Sequence, residues 1–296
     1  MPTLTGPPIT LTAIQTEFST SGLVASSTAA GLDPLPTSML DFIGLSAFTA
    51  NLQVYSTVGT TNLTIPSGCT SIQWIVVGGG GAGGGIDTGA GAVSGYHCGG
   101  GGGGGGVSTG SLSVTAGQSL TLVIGAAGSG GSGNPDNWTS GGNSTLTYAG
   151  TLQATSLGGQ RGYYAVKSGL VGPGGTSSGP TANPGGNGIV NRGSGGGGGS
   201  GGVGGDATGT SVIDGTGGDG GAAGTFSITG LTFTGAGGGG GGGTVFIGNP
   251  GTGGGFNNAT DYGGGGGGEL GETPASFGGK TSGGNGFQGA IAIWYA

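Results

Sequence analysis

The residues best suited to chemistry in this chain are few: one histidine, His97, two cysteines, Cys69 and Cys98, and 11 carboxylates. A nucleophile elbow holds a serine between glycines, and Gly106-Val107-Ser108-Thr109-Gly110 and Gly198-Gly199-Ser200-Gly201-Gly202 both have that form. Glycine supplies 89 of the 296 residues, so such patterns arise by chance, and neither serine has an identifiable triad partner. Gly278-Gly279-Lys280-Thr281 ends like a phosphate-binding loop, but Pro274 stands where its first glycine belongs. His97-Cys98 with the distant Cys69 lacks the spacing and the fourth ligand of a zinc site. Asp206, Asp214 and Asp219 lie between glycine turns without matching a calcium loop, and a solvated-loop role is expected for them. The chain is therefore expected to be no enzyme, to need no cofactor and to hold no metal. Its two thiols are expected to be free, as in a protein made in a reducing compartment.

Residues suited to binding are easier to find. Aromatic and polar side chains sit in the gaps between glycine stretches: Tyr96 and His97, the segment Asn134 to Trp138 with Asn137 and Trp138 at its end, Arg161 with Tyr163 and Tyr164, and Phe256 with Asn257. Large aromatics are scarce here. Each either anchors a partner from an exposed turn or caps a glycine layer and keeps water off it. Tyr262, which abuts Gly263, suits the capping role better. The partners excluded are clear: a net charge of −7 with four Lys+Arg argues against nucleic acid and anionic membrane surfaces. No apolar run approaches the ~20 residues of a membrane span, and the start shows no secretory pattern.

The elements that must position these residues are dominated by glycine. Runs occur at Gly78–Gly81, Gly99–Gly106, Gly195–Gly199, Gly237–Gly243 and Gly263–Gly268. With 12 prolines and no strict Gly-X-Y period the chain is not collagen, and with 5% charged residues it lacks the usual signature of disorder. A glycine run is poor in helices and strand interiors. Its remaining ordered form is a bundle of polyproline-II-like helices, three residues per turn, whose amides and carbonyls point outward to neighbours. Ordering each residue costs roughly 1–2 kcal/mol of backbone entropy, so most of those groups must be paired, at a net ~0.5–1.5 kcal/mol each. Apolar burial must come from elsewhere.

Strands supply it. The expected runs are 52–55, 62–65, 71–77, 111–114, 119–124, 145–148, 152–154, 226–228, 231–233 and 290–295, each β-branched or aromatic and bounded by turn residues. Ala116-Gly117-Gln118 predicts a hairpin between the fourth and fifth, and Gly150 a second hairpin. The closing strand Ala290 to Tyr295 is expected beside the strand containing Trp74. The fold class is thus mainly β: a small β-sandwich combined with packed polyglycine helices over residues 49–296. Residues 1–48 form a separate, glycine-poor segment, expected to be short, mixed and partly helical, with Ile9, Leu11, Ile14 and Phe18 on near-helical spacing and Met39, Leu40 and Phe42 at its end. So few apolar side chains in so short a segment should not fold alone. It reads as a docking segment.

Two resemblances sharpen this. Gly6-Pro7-Pro8-Ile9-Thr10-Leu11-Thr12-Ala13-Ile14-Gln15-Thr16-Glu17-Phe18, followed by Met39-Leu40-Asp41-Phe42-Ile43-Gly44, resembles the amino-terminal motif of tailed-phage virion proteins; Leu45 departs from it, where lysine is common. Ile65-Pro66-Ser67-Gly68-Cys69-Thr70-Ser71-Ile72 leading into Val76-Val77-Gly78, the run at Gly99 and the terminal Gly289 to Ile293 are similar to the glycine-rich domain of phage tail fibres and tail-tip adhesins. The resemblance implies a virion tail protein made in the host cytoplasm. It would dock to a tail or baseplate protein through residues 1–48 and present the gap residues to a host-surface receptor, with no catalysis. It also implies a homotrimer by analogy with fibres, while closure by the chain's own last strand allows a monomer. Rival expectations are a purely structural baseplate or tail decoration protein and, more remotely, an ice-binding protein.

Overall fold

The computed structural model describes residues 50–85, 99–130, 138–162, 183, 186–187, 195–208, 216–240, 262–268 and 283–296. The expected docking segment, residues 1–48, lies outside them. Ten strands are present: β1 (Asn51–Tyr55), β2 (Gly59–Thr64), β3 (Ser71–Val77), β4 (Val107–Ser113), β5 (Ser119–Ile124), β6 (Ser144–Tyr148), β7 (Thr151–Ser156), β8 (Gly224–Ile228), β9 (Leu231–Gly235) and β10 (Ala290–Tyr295). They form one sheet in the order β1-β10-β3-β4, a second in the order β2-β5-β6-β7, and the hairpin β8-β9. Every pairing between these strands is antiparallel.

Alternation along the strands explains the layering. On β3, Ile72, Trp74 and Val76 face the second sheet, where Leu120, Leu122, Ile124 and Leu146 meet them; Ile291, Ile293 and Tyr295 of β10 join the same layer. Ile75 and Val77 point the other way, onto Phe226, Ile228, Leu231 and Phe233 of the hairpin. A strand covered on both faces loses its polar positions, which is why Ile72 to Val77 is nearly continuous in apolar residues. Each fully buried aliphatic side chain here contributes about 1.5–3 kcal/mol. As the sequence predicts, β10 lies beside β3, with Ile293 opposite Trp74.

One expectation is overturned. Ala116-Gly117-Gln118 does not close a hairpin: β4 belongs to the first sheet and β5 to the second. The segment crosses between layers. Its ends are fixed by the 65–70 loop, with the Val114 amide donating to the Thr70 carbonyl (2.9 Å) and the Gly117 amide to that of Ile65 (2.9 Å). Gly117, at φ 81°, takes the left-handed conformation this corner requires. The second predicted hairpin is real, with Ala149 and Gly150 at its tip at positive φ.

Beyond the sheets the glycine segments form a lattice. The amides of Gly78, Gly81 and Gly84 donate to the carbonyls of Gly106, Gly103 and Gly100; those of Gly79 and Ala82 to Gly142 and Thr139; those of Gly80 and Gly83 to Phe287 and Gly284. The partner changes at each residue and returns after three, the period of a polyproline-II-type helix. The carbonyls of the same segment accept from Gly159, Gly162, Gly128 and Gly266, so the segment is bonded on every side. Residues 101–106 repeat the pattern, donating in turn to Gly195, Gly266, Gln160, Gly198, Gly263 and Leu157. The predicted packed polyglycine helices are present.

Candidate functional site

The lattice is an extension of the sheets. Residues 78–84 leave β3, 125–130 leave β5 and 157–162 leave β7, while 99–106 enter β4, 138–143 enter β6 and 283–289 enter β10. Side-chain hydroxyls secure the boundary between the two regions. The buried Ser144 hydroxyl donates to the Val77 carbonyl (2.7 Å) and accepts from the Gly125 amide (3.0 Å), and that of Ser156 donates to Val76 (2.8 Å). Seven residues at about 3.1 Å carry 78–84 roughly 22 Å from the sheets.

At the far end these segments finish together. The Gly84 amide reaches the Gly100 carbonyl (2.7 Å), the Gly162 amide that of Ala82 (2.8 Å), and the Thr139 amide that of Ser129 (3.2 Å). Polar side chains hold the ends in place. The Gly130 amide donates to Asn285 Oδ1 (2.7 Å), the Ser129 amide to Thr139 Oγ1 (2.9 Å), and Arg161 Nη1 to the Trp138 carbonyl (2.8 Å). This end, opposite the sheets, is the candidate binding surface, because it carries the exposed polar side chains of Ser129, Thr139, Arg161 and Asn285.

Of the predicted contact residues, the structure brings Arg161 and Trp138 together at this end. Arg161 is exposed and Trp138 is 2% exposed. So buried a ring is not an exposed anchor. Tyr96, His97, Asn137, Tyr163, Tyr164, Phe256 and Asn257 lie outside the described residues. So do the docking residues Ile9, Leu11, Ile14, Phe18, Met39, Leu40 and Phe42. Tyr262 packs edge-on against Phe287 (centroids 5.5 Å apart) at the sheet end of the lattice.

Ser129, Thr139, Asn285 and Ser140, whose hydroxyl accepts from the Arg161 amide (3.2 Å), escaped the sequence reading. Small polar residues inside a glycine stretch carry little signal until the segments are laid side by side. Cys69 is buried and free, and burial pushes its thiol up, with its bonds to the backbone of Ala296 and Ser71 opposing that. The Asp206 carboxylate accepts from the Asn187 amide (2.6 Å), a loop-fixing role. Among the described residues no group of three or more His, Cys, Asp or Glu side chains could hold a metal ion, and no helix is long and apolar enough to cross a membrane.

A β-sandwich prolonged into a polyglycine lattice defines a class of glycine-rich β protein. The chain belongs to the family described as the glycine-rich domain, whose pattern matches residues 56–296. No curated protein matches it.

Proposed function

We propose that this chain is a non-enzymatic phage virion protein, a tail fibre or tail-tip adhesin that docks through residues 1–48 and presents lattice-end loops to a host-surface receptor. The observation that carries this reading is the polarity of the fold. β1 begins at Asn51 opposite Tyr295, and Tyr295 in turn lies opposite Ile72 at the start of β3. The chain therefore leaves towards residues 1–49 at the pole away from the lattice. The two poles stand about 45 Å apart, a β3-length strand plus seven lattice residues. A chain that leads towards residues 1–49 at one end, with exposed polar side chains such as Arg161 and Asn285 at the other, suits a protein that bridges a particle and a surface.

The test uses particles carrying altered chains. Alanine at Arg161, Tyr163 and Tyr164 should cut adsorption to host cells at least about tenfold, which corresponds to about 1.4 kcal/mol of binding, while particle assembly stays normal. Ile9→Asp with Leu11→Asp should instead remove the protein from particles. Unchanged adsorption by the loop variant sinks the receptor part and leaves the purely structural reading.

A further inference from the structure

The outer face of the first sheet is only partly covered. The hairpin lies over it with β8 across β3 and β4, and Leu231 and Phe233 of β9 stand beside β10. Between them and Val54 of β1 lies a cavity of about 240 Å³. Its floor follows from the alternation of β10. Ile291 and Ile293 point into the sandwich, so Ala290 and Ala292 point out, about 7 Å apart along the strand. Ala292 lies opposite Val54 on one side and Ile75 on the other, and Ala290 lies opposite Val77. The alanines thus make a trough between rows of branched side chains. The next outward residue on β10 is Trp294, whose ring meets the hairpin turn at Gly230 and ends the trough there. Towards the lattice the wall is Tyr262, held edge-on against Phe287.

We propose that this trough binds a small uncharged aromatic molecule of one or two rings. Charge is excluded because none of the eight lining residues carries any, and an ion there would lose its hydration without a partner. Size follows from the volume: an apolar cavity of roughly 150 Å³ stays dry and takes up benzene, so this one has room for a second ring. Shape follows from the sheet. A flat ring standing midway over the alanines is about 4.8 Å from each row, which the branched methyls of Val54 and Ile75 reduce to van der Waals contact. Phe233 and Tyr262 add aromatic walls for edge or face contact. Valine or isoleucine at 290 and 292 would fill the space, as Ile291 and Ile293 fill the opposite face. The trough lies at the side of the sheets, so the inference stands or falls apart from the reading of the two poles.

Indole added to the full chain tests it. The Ala290 and Ala292 methyl resonances should shift saturably, with a dissociation constant below about 1 mM, and indole protons should show NOEs to both methyls. At ten times that constant the melting temperature should rise by about 3–5 °C. Benzoate, of similar size but charged, should bind at least about tenfold more weakly. Ala292→Leu fills the floor and should abolish the shifts, with the Leu120 and Ile291 resonances unchanged as witnesses of the fold. Absence of a saturable shift up to the solubility of indole overturns the proposal, and so does equal binding by Ala292→Leu. Tighter binding of hexanol than of indole overturns the choice of a ring. Should Ala292→Leu unfold, the NOEs in the parent decide, and their absence from both methyls overturns the site.

Discussion

A methyl group is enough to test the lattice. A Cβ placed on Gly80 would sit 1.8 Å from the Gly264 carbonyl oxygen, and one on Gly81 2.0 Å from that of Gln160. These are backbone atoms of neighbouring helices and cannot rotate away. Gly80→Ala should therefore cost about 3 kcal/mol or more in urea unfolding. Gly117→Ala meets nothing within 4 Å and carries only the strain of its φ of 81°, a cost of about 1 kcal/mol. Equal costs would contradict the packed arrangement. A different residue limits stability at high pH. Burial, helped by its hydrogen bond towards Tyr55, pushes the Tyr295 phenol well above its ordinary range, and burial raises the Cys69 thiol. Both groups lose protons earlier in the unfolded chain. Stability should then be level below about pH 8.5 and fall as pH climbs past about 10, as the urea midpoint would show. Tyr295→Phe should flatten the upper part of that fall.

Among the elements, sequence and structure part where a side-chain pattern ends. All ten strands were legible, because alternation and β-branching mark a half-buried pleat, and the pairing of β10 with β3 followed from two long apolar runs at opposite ends of the domain. The crossing from β4 to β5 was not legible. A tight turn and a layer-changing corner both use glycine, and what separates them is the bond from Gly117 to Ile65, fifty residues away. Gly110 shows a third kind of glycine: the Trp74 ring lies across it, 2.4 Å from where a Cβ would stand, so Gly110→Ala should force the ring out and cost about 1–3 kcal/mol. The register of a glycine helix is set by its few other residues. One glycine inserted before Ala82 moves the methyl to position 83, where a Cβ would meet the Gly267 oxygen at 2.0 Å. An extra glycine within Gly99–Gly106 displaces no side chain within the run and can be taken up on the side of residues 86–98, which precede it. The first insertion should lower the melting temperature by several degrees, roughly 2–4 °C per kcal/mol for a domain of this size, and the second should leave it nearly unchanged.

At the scale of the whole molecule, strands and lattice form one structure. Ser144 bonds Val77 of β3 and Gly125 of the lattice at once, so the two regions should unfold in a single transition. The amides of Gly101–Gly106 should exchange nearly as slowly as those of β3. Exchange at free-peptide rates would remove the rigid stem on which the display reading depends. Composition by itself determined that there is no collagen period, that burial must come from short β-branched strands, and that a side-chain-free run can be ordered only through its backbone. Those conclusions follow from what each residue type can bury or bond alone. Only the tertiary structure decided which run lies beside which, that Trp138 is covered, and that the start of β1 lies at the pole away from the lattice. A glycine offers the same donor and acceptor as every other glycine, so the choice of neighbour is made by the strands that launch the runs, and no local pattern records it.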